Sequence, residues 1–313
     1  MTIDSNTPAG WINIENCPAC GDSKCTHHGT LTSKLYHFGK AVFPLPASGI
    51  SIAECNTCRL YYKTVLPTPA FLAEAFENQA GEVWDDDYNF ISEKNQIENI
   101  LKNDHFDLLD VGPSNGALLN AFRNTSGRRS GLDIVQHPGL EKHLQGEFIH
   151  CLIDDERLNW GQQPYDVITA FDVLEHFYNP ATAFRNLHAL LNKDGIVMIE
   201  TGDISSYWPS KHGANRWWYT NLLEHHIFWQ PESIVFHAHK HGFKVLSVAA
   251  VRHKSWQSKS ILEKLNKTIL FDLWRISPTL YRKINDSRGK PTENVIPWSP
   301  LTIDHMSIIM KKT

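Results

Sequence analysis

Beyond Phe106 the chain alternates short apolar runs with longer stretches whose apolar residues recur at helical spacing. That alternation predicts βαβ units and a parallel sheet. Strands are predicted at Phe106–Val111, at a run ending on Leu132-Asp133, and at Glu147–Cys151, Tyr165–Phe171, Gly195–Glu200, Phe243–Val251 and His305–Met310. The Tyr165–Phe171 run is almost wholly apolar, as a strand covered on both faces should be. Helices are predicted from near Asn115, where Leu118, Leu119 and Phe122 keep helical spacing, over about Ala181–Leu191, and over Pro231–His241 with Pro231 in the first turn. A further amphipathic stretch, Lys259–Ile284, sets Leu262, Leu265, Ile269, Leu273 and Ile276 on one stripe. It reads as a cap, a dimer face or a core element, with peripheral membrane contact as the alternative. Pro291–Pro300 reads as a loop.

The texture upstream is different. Residues 1–68 hold two Cys-x-x-Cys pairs, many turn formers and short alternating runs such as Ile50-Ser51-Ile52-Ala53. Residues 69–105 look helical, with a polar centre at Asp85-Asp86-Asp87. The expected organisation is a metal-binding module over 1–68, a helical linker or lid over 69–105, and an α/β domain over 106–313 with a helical insertion at about 255–290. Length allows two domains, and an apolar share of 42% is ordinary for a globular chain. A net charge of -4 gives no footprint for nucleic acid. The N-terminus lacks a basic stretch followed by an apolar one, and no apolar run spans a bilayer, so a cytoplasmic protein is expected.

The segment Leu108-Leu109-Asp110-Val111-Gly112-Pro113-Ser114-Asn115-Gly116 carries the strongest chemical signal. An apolar strand runs into a glycine turn and then a helix. Glycine lets a ligand approach the backbone, and a helix N-terminus offers unpaired N–H groups. A dinucleotide site wants G-x-G-x-x-G, whereas the spacing here is D-x-G-x-x-x-G. That spacing suits a nucleoside without pyrophosphate whose amino-acid end Asp110 can orient. Asp133 closes the second strand, where a carboxylate accepts hydrogen bonds from ribose hydroxyls; a helix-terminal acid is the plainer reading. Asp154-Asp155 follow the third strand, where an acid can meet an adenine amino group or simply cap a solvated turn.

With these features, with Phe171-Asp172-Val173-Leu174-Glu175-His176-Phe177, with Leu190-Leu191-Asn192-Lys193-Asp194-Gly195 and with the stretch from His225 to Phe243, the sequence resembles class I S-adenosylmethionine (SAM)-dependent methyltransferases. The resemblance runs from Phe106 to Val251, roughly half the chain. It implies a Rossmann-like seven-stranded methyltransferase sheet with helices on both faces, and SAM as cofactor. It further implies a cofactor set of Tyr88, Asp110, Gly112, Pro113, Ser114, Gly116, Asp133, Ile134, Asp154, Asp172 and Val173. Ser114 stands where the family usually has glycine.

Cys17-x-x-Cys20 and Cys55-x-x-Cys58 can supply four thiolates to one tetrahedral Zn²⁺, a closed and therefore structural site. Reduced cysteines in a small β-domain are the alternative. Gly21 and Arg59 sit just past the knuckles, and Cys25, His27 and His28 are nearby spares. A small zinc-ribbon-like module before such a domain resembles deoxysugar C-methyltransferases and related natural-product enzymes.

In those enzymes the segment matching Leu223-Glu224-His225-His226-Ile227-Phe228-Trp229 is implicated in catalysis, which makes His225 and Glu224 the candidate base and its partner. His226 reads as a packed histidine. Trp208, Trp217, Trp218, Tyr219 and Trp229 read equally as a pocket wall or a satellite core. The expected reaction is methyl transfer to oxygen or carbon of a small molecule, a sugar or natural-product intermediate, with a homodimer as one arrangement. Two alternatives remain open. Asp172, Glu175, His176 and His225 resemble the metal set of RNA 2′-O-methyltransferases. A non-catalytic zinc-ribbon binding protein is the other.

Overall fold

The structure is a computed structural model that describes residues 10–31, 33–38, 41–72, 88–157, 163–254, 257, 259–287 and 295–313. The polar centre expected at Asp85-Asp86-Asp87 lies outside the described residues, as does the start of the Pro291–Pro300 loop. The chain forms two compact units, and both draw on separated stretches of sequence.

The first unit takes the described parts of Ala80–Thr201, Pro231–Ala249 and Met306–Thr313. Its centre is the expected seven-stranded sheet. We label the strands β1 (Leu108–Val111), β2 (Arg129–Asp133), β3 (Phe148–His150), β4 (Tyr165–Phe171), β5 (Leu191–Gly202), β6 (Phe243–Val251) and β7 (His305–Lys312). Their spatial order is β3-β2-β1-β4-β5-β7-β6. β3, β2, β1, β4 and β5 run parallel, with Ile168 opposite Leu109 on one side and Val197 on the other. The order reverses between β1 and β4, which places a topological switch at the carboxyl end of β1.

Helices α1 (Ile91–Leu101), α2 (Ala117–Ala121), α3 (Pro180–Leu190) and α5 (Pro231–Lys240) belong to the same unit; α4 (Tyr207–His212), α6 (Ile261–Ile276) and α7 (Pro278–Ser287) belong to the other. Local rules set their ends. Asn179 caps α3 by accepting the Thr182 N–H, and Pro180 fills the first helical position. Ile97, Phe106, Leu108, Leu119, Phe122, Val167 and Met198 form one buried cluster. Truncating a Phe such as Phe122 to Ala in such a core costs about 3–5 kcal/mol.

The second unit takes the described parts of Met1–Gln79, Gly202–Gln230 and Ala250–His305. Its main sheet is antiparallel and four-stranded, in the order Ile227–Phe228, Tyr61–Lys63, Ile50–Cys55, Cys25–Leu31. Three strands come from the first seventy residues and the fourth from residues 227–228. Trp11, Ile50, Ile52, Ile204, Trp217, Tyr219 and Phe228 share one core beneath it. The aromatic stretch therefore divides: Trp217, Tyr219 and Trp229 are fully buried core residues, and Trp208 packs instead on Phe271 of α6 at 5.0 Å.

The single amphipathic stretch expected at Lys259–Ile284 is two helices. Pro278 lacks the N–H that would continue α6, and Ser277 closes it by returning its own N–H to the Leu273 carbonyl. Among the described residues no helix is long and apolar enough to cross a membrane.

Candidate functional site

The glycine turn after β1 alternates its backbone hand. Gly112, Ser114 and Gly116 have φ of 71°, 46° and 83°. A Cβ on Gly112 would meet Val173 Cγ2 at 2.5 Å, so glycine is required there by sterics as well as by φ. Ser114 occupies a left-handed conformation that glycine adopts at less cost, which accounts physically for the family's usual glycine. The turn is held by Gly112 N–H to Leu132 O at 2.9 Å and Gly116 N–H to Pro113 O at 2.8 Å.

Asp110 is buried in β1 and accepts the Thr169 hydroxyl at 2.7 Å. Burial pushes its carboxyl up to about 7, against that hydrogen bond. Asp133 ends β2. Its Oδ1 accepts the Ile134 N–H at 2.6 Å and, more weakly, the Val135 N–H at 3.4 Å. Burial raises its pKa too, opposed by those N–H groups and by His176. One oxygen thus fixes the turn after β2. Asp154 Oδ2 accepts the N–H groups of Tyr178 and Asn179 at 2.8 and 2.9 Å, so this acid ties the loop after β3 to the start of α3. Asp155 pairs with Arg157 at 2.7 Å.

Asp172 follows β4 with φ of 51°, a strained value for a non-glycine, and its N–H bonds Glu200 O at 2.9 Å. Tyr88 packs at the edge of the core, its ring 6.3 Å from that of Phe90. Glu175 is wholly buried and accepts the Thr201 hydroxyl at 2.9 Å, and His176 Nε2 lies 3.9 Å from it.

In the second unit the four cysteines converge. The Sγ atoms of Cys17, Cys20, Cys55 and Cys58 all lie within 4.8 Å of one another, with Cys17–Cys58 at 3.5 Å and Cys20–Cys55 at 3.4 Å. A tetrahedral Zn²⁺ with Zn–S of about 2.3 Å separates its sulfurs by about 3.8 Å, so the donor set fits. The two knuckles share one geometry. Gly21 N–H returns to Cys17 O and Arg59 N–H to Cys55 O, at 2.9 and 3.0 Å, and Gly21 and Arg59 both turn left-handed with φ of 81° and 62°. Burial, opposed by a backbone hydrogen bond at Asp22 and aided by the charge on Cys17, pushes Cys20 up to about 12. The spare His28 is engaged elsewhere, on Glu54 at 2.7 Å, and Arg59 reaches the same carboxylate at 2.8 Å.

The segment carrying Glu224 and His225 is tied to this module at five points. Lys63 Nζ donates to Leu222 O, Tyr36 OH donates to Glu224 Oε2 at 2.7 Å, and Lys63 N–H donates to His226 O at 2.9 Å. Ile227 and Phe228 pair with Tyr62 and Tyr61, and Gln230 donates to Arg59 O, one residue past the second knuckle, at 2.7 Å. Burial lowers the Lys63 ammonium to about 7, partly offset by attraction to Glu224. Burial, then the charge of Glu224 and its hydrogen bond, raise Tyr36 well above the ordinary phenol value.

His225 is buried, and its Nδ1 lies 3.1 Å from Tyr219 O. A carbonyl only accepts, so Nδ1 carries the proton and Nε2 is the basic nitrogen. Tyr36 and Lys63 gave no signal in the sequence, because their meaning lies in partners more than 150 residues away. Nor did Asp304. Burial would raise its pKa, but the His305 charge, then hydrogen bonds from His305, Trp218 and Trp217, hold it below the usual range. The two indole N–H groups lie 2.9 and 3.2 Å from Asp304 Oδ2.

Comparison with known proteins agrees with this fold. Residues 76–248, more than half the chain, match the family described as Methyltransferase domain. Ubiquinone biosynthesis O-methyltransferases are among the similar curated proteins. That of Vibrio vulnificus is 30% identical over 118 residues, 35% of this chain and 50% of the relative. That of Haemophilus ducreyi is 28% identical over 104 residues, 30% of this chain and 44% of the relative. The chain thus spans about half the length of these relatives. Among solved structures, the Burkholderia thailandensis 1,6-didemethyltoxoflavin-N1-methyltransferase, bound to 1,6-didemethyltoxoflavin and S-adenosylhomocysteine, aligns with a TM-score of 0.50 at 14% identity. That alignment covers 90% of this chain and all of that one. With the switch point, the left-handed glycine turn and the acid closing β2 in place, the chain belongs to the methyltransferase domain family and has the class I methyltransferase fold.

Proposed function

We propose that this enzyme works in the cytoplasm, methylating an oxygen or carbon of a small molecule, a sugar or natural-product intermediate, with His225 as general base and Glu224 as its acidic partner. SAM supplies an electrophilic methyl on a sulfonium that leaves as a neutral thioether. The chain's own residues then have two tasks, to orient that sulfonium nucleoside and to remove a proton from the acceptor. Asp133 Oδ2 takes the ribose hydroxyls, and Asp110 the ammonium of the amino-acid end. Gly112, Pro113, Ser114 and Gly116 form the turn against which the cofactor lies, and Tyr88, Ile134, Asp154, Asp172 and Val173 complete its surround. The four-cysteine site holds Zn²⁺ as a closed structural centre with no position open for substrate. None of the six cysteines is joined in a disulfide, which accords with a reducing compartment.

One observation carries the acceptor side: a buried histidine whose Nδ1–H is fixed on a backbone carbonyl, one residue from a carboxylate held by Tyr36. In an in-line displacement, the C–S bond of the sulfonium breaks as the bond to the acceptor forms. The acceptor's proton passes to His225 Nε2. Acceptors built on phenols and sugars are the panel to assay, by label transfer from methyl-labelled SAM. His225→Ala should lower kcat about 10²–10⁴-fold, the usual worth of a general base, while affinity for S-adenosylhomocysteine stays within a few-fold. Unchanged turnover in both His225→Ala and Glu224→Gln would remove this pair from the chemistry.

A further inference from the structure

Five of the six cysteines lie in the second unit, and a tetrahedral cation takes four of them. The fifth, Cys25, opens the strand Cys25–Leu31 and stands directly opposite Cys55, the last residue of the strand Ile50–Cys55. The residue after Cys55 bonds to the residue before Cys25, Asn56 N–H to Lys24 O at 3.0 Å. In an antiparallel ladder that bond flanks a non-hydrogen-bonded pair, whose side chains approach more closely and whose Cα atoms stand about 4.5 Å apart. A disulfide spans Cα separations of about 4.4–6.8 Å. Directly opposite residues also project from the same face of a sheet, so the two sulfurs share one side. Tyr62, opposite Ala53 and so on that side too, hydrogen-bonds Cys25.

The two thiols differ in what surrounds them. Cys55 is buried among the four converging sulfurs, 3.4 Å from Cys20 Sγ, whereas Cys25 is half-buried and lies outside that set. We propose that Cys25 and Cys55 are a site of reversible oxidation, joined by a disulfide in the presence of peroxide, and that closing it withdraws one thiolate from the metal. The Cys25 thiolate attacks hydrogen peroxide; the O–O bond breaks, hydroxide leaves, and Cys25 becomes a sulfenic acid. The Cys55 thiolate then attacks that sulfur; the S–S bond forms, the S–O bond breaks and a second hydroxide leaves. Two thiolates thus lose two electrons, and one peroxide becomes two hydroxides. The nearer pairs, Cys17 with Cys58 and Cys20 with Cys55, are protected because both members of each serve the cation. Oxidation loosens the second knuckle, which Gln230 grips through Arg59 O, and a dithiol reductant restores it. The withdrawal of a metal ligand rests on the four-cysteine site holding Zn²⁺; the disulfide rests on strand register alone.

Treating the full chain with hydrogen peroxide tests this. Peptide mapping after alkylation should show the linkage Cys25–Cys55, and a chromogenic chelator should register about one zinc released per chain. Dithiothreitol with added zinc should reverse both. Cys25→Ser should keep its zinc when reduced and slow the peroxide-driven release about tenfold, since the accessible thiol is gone. Cys151→Ser, in the other unit, should leave that rate unchanged. Thermal unfolding of the reduced variants checks that they are folded, and mapping of the unaltered chain needs no variant. Absence of the Cys25–Cys55 linkage overturns the inference, whether no disulfide forms or Cys17–Cys58 or Cys20–Cys55 forms in its place. Release from Cys25→Ser as fast as from the unaltered chain overturns it too. A reduced chain that holds no zinc would end the four-cysteine reading instead, and the mapped linkage would still decide this one.

Discussion

The two units solve the problem of placing chemistry in opposite ways. In the unit built on β1–β7, the groups proposed for the cofactor come from the ends of successive strands and the loops that follow them, and each is positioned within a few residues of its own strand. Gly112 and Asp133 stand at the ends of neighbouring strands, β1 and β2, whose register fixes them. In the other unit, Glu224 and His225 ride on a segment with almost no regular structure of its own. Its order comes from Tyr36, Lys63, the Tyr61–Lys63 strand and the second cysteine knuckle, all far away in sequence. Local geometry is robust to changes elsewhere; borrowed geometry depends on the lender.

That contrast can be broken or sharpened by separate blows to each side. The largest effect is expected from Cys55→Ser. Structural zinc contributes on the order of 10 kcal/mol to small metal-dependent folds, so losing a ligand should release the metal and melt the four-stranded sheet. Elemental analysis and thermal unfolding read this, and turnover should vanish. Binding of S-adenosylhomocysteine should survive within a few-fold if the units are energetically separate; joint loss of both would erase the contrast.

Next comes Asp133→Ala. Hydrogen bonds to a charged group contribute about 1.5–3 kcal/mol, so losing the proposed ribose acceptor should weaken S-adenosylhomocysteine about 100-fold by calorimetry, with metal content untouched. Smaller again is Tyr36→Phe, which removes one hydrogen bond to Glu224. A fall of about tenfold in kcat with little change in KM, and a displaced pH–rate profile, would mark a positioning role. A purely structural Tyr36 would lower stability without moving the profile.

The smallest effect is a pH slope. Asp110 has its pKa raised to about 7 by burial, so its carboxylate is lost as pH falls through that value. If the ionised form holds the cofactor's ammonium, affinity should drop about threefold between about pH 7.5 and 6.5. Asp110→Asn should show no such slope.

What the sequence disclosed follows the same division. The seven strands were legible because each is a local apolar run, and Tyr165–Phe171 matches β4 residue for residue. The glycine turn was legible because a left-handed backbone restricts residue type on the spot. Both knuckles were legible because each is a Cys-x-x-Cys pair, a fixed local spacing; the left-handed φ of Arg59 was not. The pair Ile227–Phe228 was not, since two residues are too few to show a period. Tyr36 and Lys63 were invisible for want of any neighbour in sequence to give them meaning. On α6 the periodicity revealed a stripe but not which way it faced. A second apolar face, Phe271 and Trp274, took the inward side.

The pairing of residues 227–228 with Tyr61 and Tyr62 bears on anyone who would shorten this enzyme. Deleting the amino-terminal seventy residues strips away three of four strands and leaves the remaining two-residue strand with bare amides and carbonyls. Such a fragment would retain a recognisable nucleotide-type fold and yet lose the scaffold that aims its proposed proton acceptor. Grafting that amino-terminal part onto another transferase would fail for the mirror-image reason, because the recipient would have to supply the missing edge.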